Sequence, residues 1–382
     1  MKRSKLSLAA LALALSTIHY PLSTFGQGSL TPPGPPAPTM KSLAQIEPRT
    51  PISSVPYTIT RPGSYYLTTS LTNPGSGNGI IISSGNVTID LNGFTLQGTI
   101  GSANGIFVSA TFTNIVVRNG TVTGWGNHGI DAWSGGYPRN MVFEKLTIST
   151  NAINGLYTEA GSIIRDCIAI GNVGTGFFSQ GGEIIGCLAR ENSGSGFTSV
   201  NASLLHCTAQ FNFGFGYYLT SSRALDCDCV NNSSVAMMCE GIGCEIRRCR
   251  VINAANTGIF CDTGSGGTVV QDCEIANSTF DGIYTGGVGG NLFVGNHLRL
   301  NNSGGIIMND SNNYIENNHI ISANGVEGIG VSSSSYSNNV VVRNVVIGGG
   351  SASVNYALGA FSDAGPIGSA ASASNPWANI SH

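Results

Sequence analysis

A small residue followed by an apolar one returns at Gly79, Gly105, Gly129, Gly155, Gly176, Gly196, Gly216, Ala236, Gly258, Gly282, Gly305 and Gly328, at intervals of 26, 24, 26, 21, 20, 20, 20, 22, 24, 23 and 23 residues. A period this short leaves one supersecondary unit per copy. No such unit buries its own apolar face, so the copies must stack to make a core. Each small residue opens a short run, such as GIFVS, GLYTE or GFFSQ, whose first and third residues are mostly apolar or small. Alternation of this kind puts one face of a strand inward and the other outward.

A second series lies about ten residues upstream, each member after an apolar pair: Asn119, Lys145, Cys167, Cys187, Cys207, Cys227, Cys249, Cys273, Asn296, Asn318 and Asn344. SIIRDCIAIGNVGTGF, EIIGCLARENSGSGF and SLLHCTAQFNFGFGY then read as copies of one unit: strand, tight corner, strand, Asn/Gly corner, strand. Stacked about 4.8 Å apart, such units line Ile, Leu and Phe in ladders inside a rod. The expected fold is an all-β parallel solenoid of about twelve coils over residues 51–347, with the Cys and Asn series as a structural ladder.

Composition narrows the setting. Only 10% of the 382 residues are charged, which excludes a long solvated helix, and 53 glycines without a G-x-y period exclude collagen. Lys2, Arg3 and Lys5 ahead of LSLAALALAL read as an export signal over residues 1–27, too short to span a bilayer. Cleavage takes Lys+Arg from 17 to 14 against 20 acidic residues and the net charge from −3 to about −6, with no footprint for nucleic acid. No later segment reads as transmembrane, so the chain is expected to be secreted, periplasmic or on the cell surface. Residues 28–50 form a Pro-rich linker with a short cap at Met40–Ile46, and residues 348–382 a Gly/Ala/Ser-rich tail or cap that loses the repeat.

The repeat resembles the right-handed parallel β-helix of pectin-degrading enzymes, alginate epimerases and the periplasmic protein NosD. It is closer still to secreted bacterial β-helix proteins with a leader like LTPPGPPAPTMKSLAQIEPRTPI, PGSYYLT before NVTIDLNGFTLQG, and a tail like SNPWANISH. The resemblance implies fold and export rather than an activity. It also implies that a polar ladder fills the tight corner between the second and third sheets. Several chemistries of that fold lack their motifs here. The polygalacturonase G-H-G and R-I-K strings and the epimerase D-P-H-E string are missing, and no Arg or Lys stands in the outward stripe described next.

Function in such a fold is expected on the outer face of the sheet that follows the small residue. Its second strand positions are Phe107, Asp131, Tyr157, Phe178, Thr198, Tyr218, Met238, Phe260, Tyr284 and Ile307. Trp133, Glu159, Glu240, Asp262 and Asn309 are among the fourth positions. Aromatic rings beside carboxylates and amides suit sugar rings and hydroxyls, making Trp133, Tyr157, Phe178, Tyr218, Phe260, Tyr284 and Asn309 candidate binding residues. The alternative is that the chain's own termini or a second subunit covers this stripe.

Asp131 and Glu159, one coil and two positions apart, have Cα atoms about 8 Å apart, a spacing that suits the acid and base of an inverting glycosidase. Glu240 and Asp262 stack directly, where repulsion raises one pKa or Ca²⁺ bridges them. Glu240 and Asp262 also read as ordinary solvated acids, and no other cofactor or metal is expected. Arg247, Arg248 and Arg250 form a basic cluster where an acidic polymer could dock. The ten cysteines fit either disulfides or a buried thiol ladder, the ladder being preferred, with Cys239 and Cys261 a further stacked pair and Cys229 and Cys244 isolated. The leading expectation is an exported β-helix that binds polysaccharide or a surface glycan. A glycosidase or lyase is the alternative, and a structural rod or adhesin the third.

Overall fold

The computed structural model describes residues 47–133, 138–159, 161–322, 325–348, 352–359, 362–371 and 374–382. The signal and most of the linker, including the Met40–Ile46 cap, lie outside the described residues. Residues Arg49–His382 form one compact unit. It is an all-β parallel solenoid of about 13 turns.

The regular coils show how the sequence dictates the path. Phe177–Ile185 and Phe197–Leu205 each run through the first and second sheets without a break, and Leu188–Arg190 and Thr208–Gln210 supply the third. Phe177 pairs with Phe197, Ile184 with Leu204 and Ala189 with Ala209, all in parallel. A strict 20-residue offset therefore brings like residues side by side. Inward positions form columns, and the described core is continuous along the unit. In the first sheet one column carries Phe177, Phe197 and Tyr217, with centroids 5.4 and 4.9 Å apart and the latter pair stacked nearly parallel. Tyr217 satisfies its buried hydroxyl by donating to the Cys207 carbonyl at 2.7 Å, and Tyr356 repeats the device on Asn344 at 2.8 Å.

The corner between the second and third sheets turns on one residue in the left-handed region: Asp166, Gly186, His206, Asp226, Arg248, Asp272, Gly295, Asn317 and Arg343 all have φ between +50° and +68°. The next residue points inward. Those residues are Cys167, Cys187, Cys207, Cys227, Cys249, Cys273, Asn296, Asn318 and Asn344, all buried. Each cysteine thiol donates to backbone carbonyls, as Cys207 does to Ile184 at 3.3 Å. Each asparagine amide donates to the side-chain oxygen of the next, 2.9 Å from Asn296 to Asn318 and from Asn318 to Asn344.

Asn119 does not belong to this ladder. It and Lys145 occupy the left-handed position itself, at φ 58° and 53°. Register places Gly120 and Leu146 together at the inward position. Asn suits both places for different reasons, tolerance of positive φ at one and amide pairing at the other, so the pattern alone slips by one residue. At Gly120 a Cβ would lie 2.4 Å from Leu91 Cβ, which already fills the space.

All ten cysteines are free and buried. Cys244 is not isolated: its thiol lies beside Cys239, which also neighbours Cys261. The segment after Gly348 resumes the solenoid. Tyr356–Ala357, Asp363–Ala364 and Asn379–Ser381 pair in parallel with the three strands of the preceding coil. Asn379 extends the ladder by accepting from the Asn344 backbone amide at 3.0 Å, and Arg343 stacks on Trp377 at 4.1 Å.

Candidate functional site

The second positions of the first sheet form one unbroken outward column. Phe107 pairs with Asp131, then follow Tyr157, Phe178, Thr198, Tyr218, Met238, Phe260, Tyr284 and Ile307, each in register with the next. Parallel stacking makes this unavoidable once the repeat length is fixed. The rings gather into two groups with the small Thr198 between them.

In the N-terminal group, Tyr157 is sandwiched. His128 stacks on it at 4.9 Å and Trp133 at 4.5 Å, while Phe178 approaches edge-on at 5.0 Å. The two carboxylates expected to act as an acid and base pair are not open to solvent here: Asp131 is 2% and Glu159 5% exposed. Asp131 accepts from the Trp133 backbone amide at 3.2 Å and from Asn104 at 3.4 Å, so it serves the turn that carries the indole. Burial holds the His128 pKa below its ordinary value, opposed by the Asp131 charge. Burial raises the Tyr157 phenol, with Asp131 and Glu159 adding to it.

The C-terminal group lines an open groove of about 470 Å³ whose walls include Phe215, Met238, Phe260, Phe280 and Tyr284. Phe215 tilts against Tyr218 at 5.4 Å and Phe260 meets Tyr284 edge-on at 5.3 Å. Ser234, Asn256 and Thr257 supply polar atoms at the margin. Asp281 is the carboxyl of this groove. Burial pushes its pKa up to about 6, with Glu327 adding to the rise. Sequence reasoning missed Asp281 because it stands one residue before Gly282, outside the alternating pattern. Its signal is the string FDG, an acid where the copies on either side carry Thr257 and Gly304.

Residues 233–364 match a family model described as the right-handed beta helix region. The solenoid is a right-handed parallel β-helix. The A-module of the Azotobacter vinelandii mannuronan C-5 epimerase AlgE4 superposes with a TM-score of 0.50 at 14% identity, over 80% of this chain and 91% of that one. The A-module of AlgE6 from the same organism gives 0.47 at 16% identity over 84% and 91%. The periplasmic alginate epimerase AlgG gives 0.45 at 14% over 80% and 76%. No curated protein sequence matches the chain. Among the described residues no helix is long and apolar enough to cross a membrane.

The remaining candidates along the β-helix are mostly engaged. Tyr218 donates its hydroxyl to Glu240, and that bond raises the phenol's pKa to about 12. Asp262 turns back to accept from the Thr263 amide at 2.7 Å. Among the described residues, no group of three or more His, Cys, Asp or Glu is arranged to hold a metal ion. Asn309 is half-buried and accepts from Ser332. The basic cluster is neutralised within the rod: Arg248 pairs with Asp226 at 2.7 Å, Arg250 with Asp228 at 2.9 Å and Arg247 with Glu245.

Proposed function

We propose that this β-helix binds polysaccharide along the outer face of its first sheet. The observation that carries the reading is the second aromatic group, where Phe215, Phe260 and Tyr284 line an open groove of about 470 Å³ beside polar Ser, Asn and Thr side chains. Flat apolar faces with hydrogen-bonding groups at their margin suit pyranose rings and their hydroxyls. The first group, Trp133, Tyr157 and Phe178, extends the platform toward the N-terminus along the same column. Solved structures of like fold are named for mannuronan epimerisation, but at 14% identity they contribute the fold alone.

Binding is favoured over cleavage at Asp131 and Glu159 because both residues are buried, where a general acid or base must reach its substrate directly or through one water. Export to a compartment where polysaccharide is met belongs to the same reading. The test is retention of the protein on a panel of immobilised plant, algal and bacterial polysaccharides, recorded together with released reducing or unsaturated ends. Retention without release is the expected result. Release would transfer the protein to the glycan-cleaving enzymes, and neither would leave a structural rod.

A further inference from the structure

The C-terminal groove has a definite electrostatic character. Its lining among the described residues contains one carboxyl, Asp281, and no Lys, Arg or His. The next coil places Gly304 beside Asp281 and the coil after that places Glu327 in the same row. Gly304 makes room for Ile307 and for the acid, since a Cβ there would sit 2.6 Å from Ile307 Cγ1 and 2.9 Å from Asp281 Oδ1. Two negative charges thus stand in one row beside an aromatic pocket with no internal counter-charge. Desolvation of Asp281, with the Glu327 charge second, lifts its pKa to about 6. A carboxylate in that condition gains from an incoming cation, and aromatic rings attract cations through their electron-rich faces.

We propose that the groove takes a cationic sugar, a hexosamine unit with a free or quaternised amine, its nitrogen between the Asp281 carboxylate and the rings of Phe260 and Tyr284. The inference rests on the glycan-binding reading and names its substrate class. A uronate unit would bring a third negative charge into a site without a compensating cation, and an N-acetylated unit would keep the ring stacking but lose the charge pairing.

Calorimetric titration of the full chain at pH 7.5 with three oligosaccharides tests it: N,N,N-trimethylated β-1,4-glucosamine, its N-acetylated counterpart and oligogalacturonate. The trimethylated probe carries a fixed charge, so pH acts on the protein alone. It should bind about tenfold more tightly than the acetylated one, and Asp281→Asn should bring the two within about twofold. The preference should shrink from pH 7.5 to 5 as Asp281 takes up its proton. The other titratable groups facing it are Glu327 and Tyr284. The phenol, raised above 10, does not titrate in this range. Glu327→Gln should keep the pH dependence, which assigns it to Asp281. Equal or tighter binding of the acetylated or uronate probe to the wild type overturns the inference while leaving glycan binding intact. So does a preference that survives Asp281→Asn. Failure of all three probes on a protein that is retained by another polysaccharide also overturns it, whereas failure of every polysaccharide removes the parent reading with it.

Discussion

Buried polar side chains decide the corners of this rod. Asn318 accepts from the Asn296 amide, donates to Asn344 and donates to the Phe293 carbonyl, so its amide is fully used inside the core. Replacing it with Ala leaves partners unsatisfied on both sides, and a loss of about 1–3 kcal/mol per orphaned group is expected in urea unfolding. Asp281 behaves in the opposite way. Its folded pKa of about 6 lies above the ordinary 3.8, so the folded state holds the proton more tightly than the unfolded one. Stability contributed by this group is therefore present at pH 4 and lost as pH rises through 6. Asp281→Asn should match the wild type in Tm near pH 4 and exceed it at pH 7.5. An unchanged difference across that range would show that the carboxyl is not desolvated. The thiol-to-amide ladder was legible from the 20-residue spacing of its cysteines, whereas Asn119 was misplaced because left-handed corner and inward position both favour Asn. The string FDG marks Asp281 only as an acid before a coil's small residue, since its importance comes from Gly304 and Glu327 one and two coils away.

Single strands here are only three to five residues long in most coils, so each depends on the columns that it joins rather than on its own propensity. Phe197 shows the scale of that dependence. It is fully buried between the rings of Phe177 and Tyr217. Phe197→Ala should cost about 3–5 kcal/mol, by cavity formation as well as lost transfer free energy. The outward rings of the same strands should behave differently. Phe260→Ala with Tyr284→Ala removes half-buried side chains from the outer face, so Tm should fall far less than for Phe197→Ala while glycan retention is lost. Periodicity distinguished the inward from the outward column correctly from the sequence. It could not tell that Asp131 and Glu159 are buried, because burial on the outer face arises between coils.

The whole β-helix is a stack of interfaces, and its ends are the places where stacking stops. Tyr356–Ala357, Asp363–Ala364 and Asn379–Ser381 add one more coil in parallel register, with Asn379 continuing the amide ladder. The sequence hid this coil because its period is interrupted by Gly, Ala and Ser, although the asparagine and the inward Tyr356 keep their places. The solenoid also carries its ten cysteines as buried free thiols. A thiol-reactive dye should find ten per chain in denaturant without reductant and close to none in the native protein. Fewer than ten in denaturant would reveal disulfides between coils.

Every functional reading above depends on glycan binding at the aromatic outer face of the first sheet. It is tested most directly by measuring the affinity of the wild type and of the Phe260→Ala, Tyr284→Ala variant for the polysaccharide that retains the protein best. A loss of at least about fivefold is expected in the variant, the effect of removing two stacking rings of roughly 0.5–1.5 kcal/mol each, with its cooperative unfolding preserved. Equal affinity in a folded variant would contradict it and place the glycan elsewhere on the rod.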